Sequence, residues 1–205
     1  MLRIENLHFS RKANGNSLSF DYDFTLTSGE ILAVQGPSGV GKTTLLDLIA
    51  GFESASTGKI YWDNADVTAL PPWERPVTSV FQSDNLFAHL SCRANVAIGL
   101  ADDETAILKI DDGFKRLGID GLQNRLPDEI SGGQQQRVVL VRALLRNRPV
   151  LLLDESFSAL DWDSRCGCFD ALKEMVSDRE MCVLIVSHDD RDAAYLQCNT
   201  LRLAR

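Results

Sequence analysis

Residues 36–43 read GPSGVGKT, and those residue types at that spacing suit one task, the holding of a chain of phosphates. Glycines let the backbone wrap so tightly that several N–H groups point at one anion. The helix that follows offers its positive end to the same charge. Lys42 can reach the outer phosphates, and the Thr43 hydroxyl can bind Mg²⁺. The candidate phosphate-binding residues are therefore Gly36, Pro37, Ser38, Gly39, Val40, Gly41, Lys42, Thr43 and Thr44. A second stretch, VLLLDE at 150–155, is an apolar strand ending in two carboxylates. Asp154 would hold Mg²⁺, and Glu155 would accept a proton from a water attacking the γ-phosphate. A third stretch, ISGGQQQRV at 130–138, again has the build of a phosphate-binding helix start. The chain thus carries two such starts about 95 residues apart.

These residues need elements to hold them. ILAVQ ahead of the first loop predicts a short buried strand, and KTTLLDLIAGF predicts a helix that stops at Gly51. Upstream, MLRIENLHF and LSFDYDFTL alternate apolar and polar residues as strands do, with a turn at NGN. TGKIYWDNADV reads as a hairpin, and the three prolines of PPWERP at 71–76 forbid a regular element there. From about 87 to 130 the pattern is helical, with Ile107, Ile110, Phe114 and Leu117 forming an amphipathic stripe. Helix and strand then alternate to the end: 134–147, 150–156, 164–177, 181–190 and 190–197. Such alternation predicts a mostly parallel sheet covered by helices.

Composition limits the alternatives. The 205 residues suit one domain, and 44% hydrophobic residues suffice for a core. A net charge of −8 argues against a nucleic-acid partner. No apolar run reaches the roughly 18 residues of a membrane span, and the N-terminus lacks a signal-peptide core. A cytoplasmic protein is expected. Cys92, Cys166, Cys168, Cys182 and Cys198 are odd in number and lack CxxC spacing, as expected of reduced thiols.

Taken together, these stretches resemble the ATPase subunit of ABC transporters, over nearly the whole chain. ISGGQ at 130–134 resembles that family's signature, with Ile where Leu is usual; SALD at 158–161 resembles its D-loop. Gln82 in VFQSDN and His188 in IVSHDD match its Q-loop glutamine and switch histidine. The resemblance implies a RecA-like P-loop NTPase core with a mostly parallel sheet, a small antiparallel β subdomain and a helical subdomain. The core would span 1–86 and 135–205, and the helical part 87–134, within a single domain of 1–205.

The resemblance also explains the two phosphate sites. Two copies of the chain would pair head to tail, each ATP lying between the phosphate loop of one and the signature of the other. Ser131, Gly132, Gly133, Gln134 and Asp161 would then act in trans. His188 would contact the γ-phosphate and orient Glu155, and Gln82 would join Thr43 and Asp154 at Mg²⁺. Phe9 stands where the family places an aromatic against adenine, with Tyr22 as a competitor and an apolar core role open for Phe9.

As partners the resemblance implies transmembrane permease subunits, docked near Gln82 with Phe87, His89 and Leu90 as candidate contacts. A periplasmic solute-binding protein would act through the permease, and the chain would sit peripherally on the cytoplasmic face of the inner membrane. LIAGF, PPWERPVTSVFQSDNLFAHLS and LGIDGLQNRLPDEISGGQ are similar to the ATPases of bacterial thiamine importers. Several of these residues are shared with importers of iron, polyamines and sugars. A soluble non-transport ATPase is the remaining alternative, disfavoured by the single set of motifs and the lack of a long insertion. Two departures stand out: Ser156 where the family usually has proline, and Gln135 where a basic residue is common.

Overall fold

The computed structural model describes residues 1–13, 16–81, 86–100 and 104–204. Five parallel strands form its centre: β3 (Ile31–Gln35), β6 (Val77–Val80), β7 (Val150–Asp154), β8 (Cys182–Val186) and β9 (Asn199–Arg202). Their order is β6-β7-β8-β3-β9, and every neighbouring pair runs parallel. β3, β7 and β8 are buried at every position. They therefore read as unbroken apolar runs rather than alternating ones.

The alternation survives as a division between two cores. Leu32, Val34, Leu152 and Leu184 face one, and Ala33, Leu151, Leu153 and Ile185 face the other. The first core receives α1 (Lys42–Ala50) through Leu45, Leu48 and Ile49. It is closed by a four-stranded antiparallel sheet made of β1 (Leu2–Ala13), β2 (Asn16–Leu26), β4 (Thr57–Trp62) and β5 (Ala65–Asp66), ordered β2-β1-β4-β5. The second core receives α2 (Cys92–Ala97), α3 (Glu104–Arg116), α4 (Gly132–Leu145), α5 (Trp162–Arg179) and α6 (Asp190–Leu196). Phe114, Phe157 and Phe169 fill it, the last two edge to face at 4.9 Å.

Most expected elements form. Gly51 ends α1 in the left-handed region at φ 84°, and the 71–76 stretch holds only turns. What that proline-rich stretch does was not foreseen. Arg75, 3% exposed, donates to the carbonyls of Leu48 and Ile49 at the end of α1 and to those of Thr68 and Leu70. A buried cation thus meets the negative end of the helix whose other end faces the phosphate loop. The apolar stripe on α3 is corrected at one position. Ile110, Phe114 and Leu117 are buried, but Ile107 is 52% exposed, because α3 meets the core only from its middle onward. The NGN turn lies partly outside the described residues.

Phe114 is fully buried where α3 meets the second core. Phe114→Ala is expected to cost about 3–5 kcal/mol, read as a lower midpoint in urea unfolding at unchanged slope.

Candidate functional site

Parallel strands all end at one edge of their sheet, and the polar residues expected from sequence gather there. Val34 pairs with Val186, and Asp154 pairs with Val186 from the other side. The ends of β3, β7 and β8 are therefore level, and the residues after each become neighbours. β3 runs into the phosphate loop, β7 into Glu155, and β8 into Ser187 and His188.

The loop is shaped by close contacts. Gly36 has φ 149°, and a Cβ there would lie 2.5 Å from the Leu203 carbonyl, so no side chain fits. Gly41, at φ 103°, precedes α1 with no side chain capping the helix. The first N–H groups of α1 are thus left for an anion. Pro37, Ser38 and Gly39 are exposed, Val40 is buried, and Thr44 lies in the first turn. The Lys42 ammonium curls over the loop and donates to the carbonyls of Gly36 at 2.8 Å and Pro37 at 3.1 Å.

A Cβ on Gly41 would also strike the Tyr22 hydroxyl at 2.5 Å and the Phe20 ring at 2.8 Å. Tyr22 donates to the Gly41 carbonyl at 2.8 Å. Two aromatics of β2 therefore support the loop from beneath. Phe9, expected against adenine, is instead 5% exposed among the apolar residues of the first core. Tyr22 is equally buried, at 4%. Phe20 is the partly exposed ring beside the loop, and the sequence reading missed it. The signal was its place on β2, two residues before Tyr22 and thus on the same face.

The acidic side is built with equal economy. Thr43 Oγ1 donates to Asp154 Oδ2 at 3.0 Å, across 111 residues of chain. Asp154 Oδ1 is buried and has no hydrogen-bond partner among the described residues. Burial raises the Asp154 pKa and the neighbouring Glu155 adds to the rise, while the Thr43 hydroxyl opposes it. A hydroxyl and a buried carboxylate with one oxygen unspent are hard oxygen donors that fit Mg²⁺ held jointly with phosphates. No cluster of three or more metal-binding side chains occurs among the described residues.

Glu155 sits in the left-handed region at φ 47°, uncommon for a residue with a side chain and costing of order 1–2 kcal/mol. Its N–H donates to the Val186 carbonyl at 3.2 Å. Its carboxylate meets His188 Nε2 at 2.6 Å, with the imidazole donating. Both groups line a surface cavity of about 550 Å³. Ser156, which stands where proline is usual, is held in this turn. It is buried, and its hydroxyl donates to the carbonyls of Val80 at 3.5 Å and Asp154 at 3.4 Å.

The second helix start lies on another part of the surface. Ser131 caps α4, accepting from Gln134 N at 3.3 Å, while Gln134 Oε1 accepts from Ser131 N at 2.9 Å. Gln134 is thereby occupied by the cap. A Cβ on Gly133 would lie 2.9 Å from Leu160, so this turn packs against the 158–161 segment, while Gly132 faces open space. Asp161 caps α5 through Ser164 N at 2.9 Å, and that hydrogen bond lowers its pKa. Gln135 closes the short 3₁₀ turn at Pro127–Glu129 by donating to the Pro127 carbonyl at 2.7 Å. Gln82 lies outside the described residues.

The 86–91 loop owes its shape to a residue that the sequence reading passed over. Asn95 is fully buried and donates to the carbonyls of Phe87, Leu90 and Ser91, while its Oδ1 accepts from Phe87 N. Phe87 is left 50% exposed, edge-on to His89 at 6.1 Å, and Leu90 is partly buried.

Known proteins resemble this chain in sequence and in fold. The sequence pattern of the family described as ABC transporter matches residues 20–158. The thiamine import ATP-binding protein ThiQ of Mesorhizobium japonicum is 44% identical over 206 residues, spanning 98% of this chain and 80% of its own. That of Escherichia coli K12 is 41% identical over 192 residues, spanning 91% and 82%. A dimeric structure of MJ0796, a bacterial ABC transporter cassette, superposes with a TM-score of 0.87 at 27% identity, covering 99% of this chain and 94% of that one. A dimeric post-hydrolysis state of the same cassette, bound to ADP and Pi, superposes equally well.

The buried Asp154 charge has a measurable cost. Its folded pKa lies above the ordinary carboxylate value, so the charge destabilises the fold at neutral pH, and the penalty fades as pH falls through the raised value. Asp154→Asn is expected to raise the melting temperature of the nucleotide-free protein by about 2–4 °C at pH 7, and by less near pH 4, in scanning calorimetry.

Proposed function

Since the chain belongs to the ABC transporter family, we propose that it is the ATP-hydrolysing motor of a bacterial importer for thiamine or its phosphates. It binds ATP and hydrolyses it to ADP and phosphate. The observation that carries the site assignment is the Glu155–His188 pair, held at 2.6 Å beside the phosphate loop and Asp154.

The chain's own groups divide the work. The loop N–H groups and Lys42 hold the β- and γ-phosphates. Glu155 takes the proton of the attacking water, and His188 fixes the carboxylate that does so. Thr43 and Asp154 hold Mg²⁺, with Gln82 as a further ligand of the same ion. When bound, Mg²⁺ neutralises charge on the phosphate oxygens. Phe20 offers its partly exposed ring to the base.

One set of groups completes the site only across a dimer. Ser131, Gly132 and Gly133 aim the start of α4 at the γ-phosphate of the partner's nucleotide, and Asp161 works at the same interface. Gln134 supports this from its capping position. ATP closes the dimer and hydrolysis reopens it, giving a stroke that can move a permease.

The chain sits peripherally on the cytoplasmic face of the inner membrane, and no described helix is long and apolar enough to cross a membrane. A permease docks beside Phe87, His89 and Leu90, held in place by Asn95, and receives solute from a periplasmic binding protein. Next to that loop, Phe52 and Phe81 meet at 5.7 Å and Trp73 is 77% exposed, around a cavity of about 370 Å³. So much exposed aromatic surface suits a protein partner. Thiamine is supported by the relatives named above.

Two experiments test the proposal. Glu155→Gln with ATP and Mg²⁺ is expected to retain nucleotide, lose at least about a hundredfold in turnover, and elute as a dimer in size-exclusion chromatography. A strict monomer would count against the shared site. Co-reconstitution with the permease and its binding protein should show ATP hydrolysis stimulated by thiamine. Stimulation by another solute alone would overturn the thiamine assignment and leave the motor intact.

A further inference from the structure

One buried polar network is not used by the chemistry above, and it joins the two loops on which that chemistry depends. Asp192, in the first turn of α6, is a carboxylate only 2% exposed. Its Oδ1 accepts from Arg165 Nη1 at 3.1 Å, and its Oδ2 accepts from the Ser187 hydroxyl at 2.5 Å. Ser187 immediately precedes His188, and its hydroxyl also accepts from Asp189 N at 3.0 Å. Both sides of the histidine are thus tied to one carboxylate. Arg165 Nη1 further approaches Asp189 Oδ2 at 3.6 Å.

Arg165 belongs to a different element. It lies in the first turn of α5, whose cap is Asp161, and its Nη2 donates to the Leu160 carbonyl at 3.5 Å. Leu160 is the residue against which Gly133 packs. One side chain therefore spans from the segment beside the Ser131 turn to the loop that carries His188. A buried ion pair is seldom retained for stability alone, because desolvation offsets most of its attraction.

We propose that Arg165 and Asp192 are positioning residues for ATP hydrolysis. They fix the His188 loop against the Leu160–Asp161 segment, so that seating of a partner at that segment sets the His188–Glu155 contact. The inference rests on the reading of Glu155 and His188 given above. The two groups act through His188 and touch no nucleotide themselves.

The test uses two substitutions that keep packing volume. Asp192→Asn removes the charge, and Arg165→Lys can keep the ion pair but cannot also reach Leu160. The expected result is a fall in kcat of about tenfold or more with KM for ATP changed less than about threefold. The chain has three histidines, His8, His89 and His188, so ring resonances in NMR can be assigned by substitution. The His188 ring signals should shift in both variants while those of His8 and His89 stay in place. Arg165→Ala, with nothing to hold Asp192, should show the same shift where it folds, and the two conservative variants decide the matter where it does not. Unchanged kcat, or an unmoved His188 signal, would overturn the proposal. His188→Ala separates the two readings: full turnover in that variant sinks the role of His188 itself, whereas lost turnover there with normal turnover in Asp192→Asn sinks the positioning role alone.

Discussion

Burial of the parallel sheet on both faces is the constraint on which the remaining structure depends. A strand covered from two sides cannot carry a polar side chain within its length, and β3, β7 and β8 carry none until their ends. Polar chemistry is therefore expelled to one edge. Because the strands are parallel and in level register, that edge is shared. The phosphate loop, the carboxylates and the histidine meet there because nowhere else on the sheet would take them.

At that edge the molecule holds features that stability alone would remove. Asp154 keeps a buried oxygen without a partner, Glu155 holds a left-handed backbone, and α1 begins without a side-chain cap. Each is unfavourable in isolation, and such features gather where a site is preorganised. The surroundings supply the compensation: Tyr22 and Phe20 under Gly41, Ser156 across to Val80, and Arg75 at the far end of α1.

The stretches expected to hold nucleotide were legible in the sequence because their spacing is dictated by such a ligand. GPSGVGKT, VLLLDE and ISGGQ are local, and local geometry is written in consecutive residues. The groups that hold those stretches in place were not. Arg75 and Asn95 look like ordinary surface residues in a linear reading, and their burial depends on carbonyls brought from elsewhere. Phe9 and Phe20 are directly paired across β1 and β2, yet only packing decides which of them is buried. Ile107 continued a helical period past the point where the core stops.

The strand order also has a temporal side. β3, which carries the phosphate loop, is completed within the first 35 residues, but its two neighbours, β8 and β9, come from residues 182–202. A chain leaving the ribosome from its N-terminus displays GPSGVGKT long before the strands that pin it exist. Gly36 is closed by the Leu203 carbonyl, 167 residues further along the chain. Contacts of such sequence separation fold slowly. A chain cut before β8 would lack both neighbours of β3, and with them the contacts that hold the loop in place.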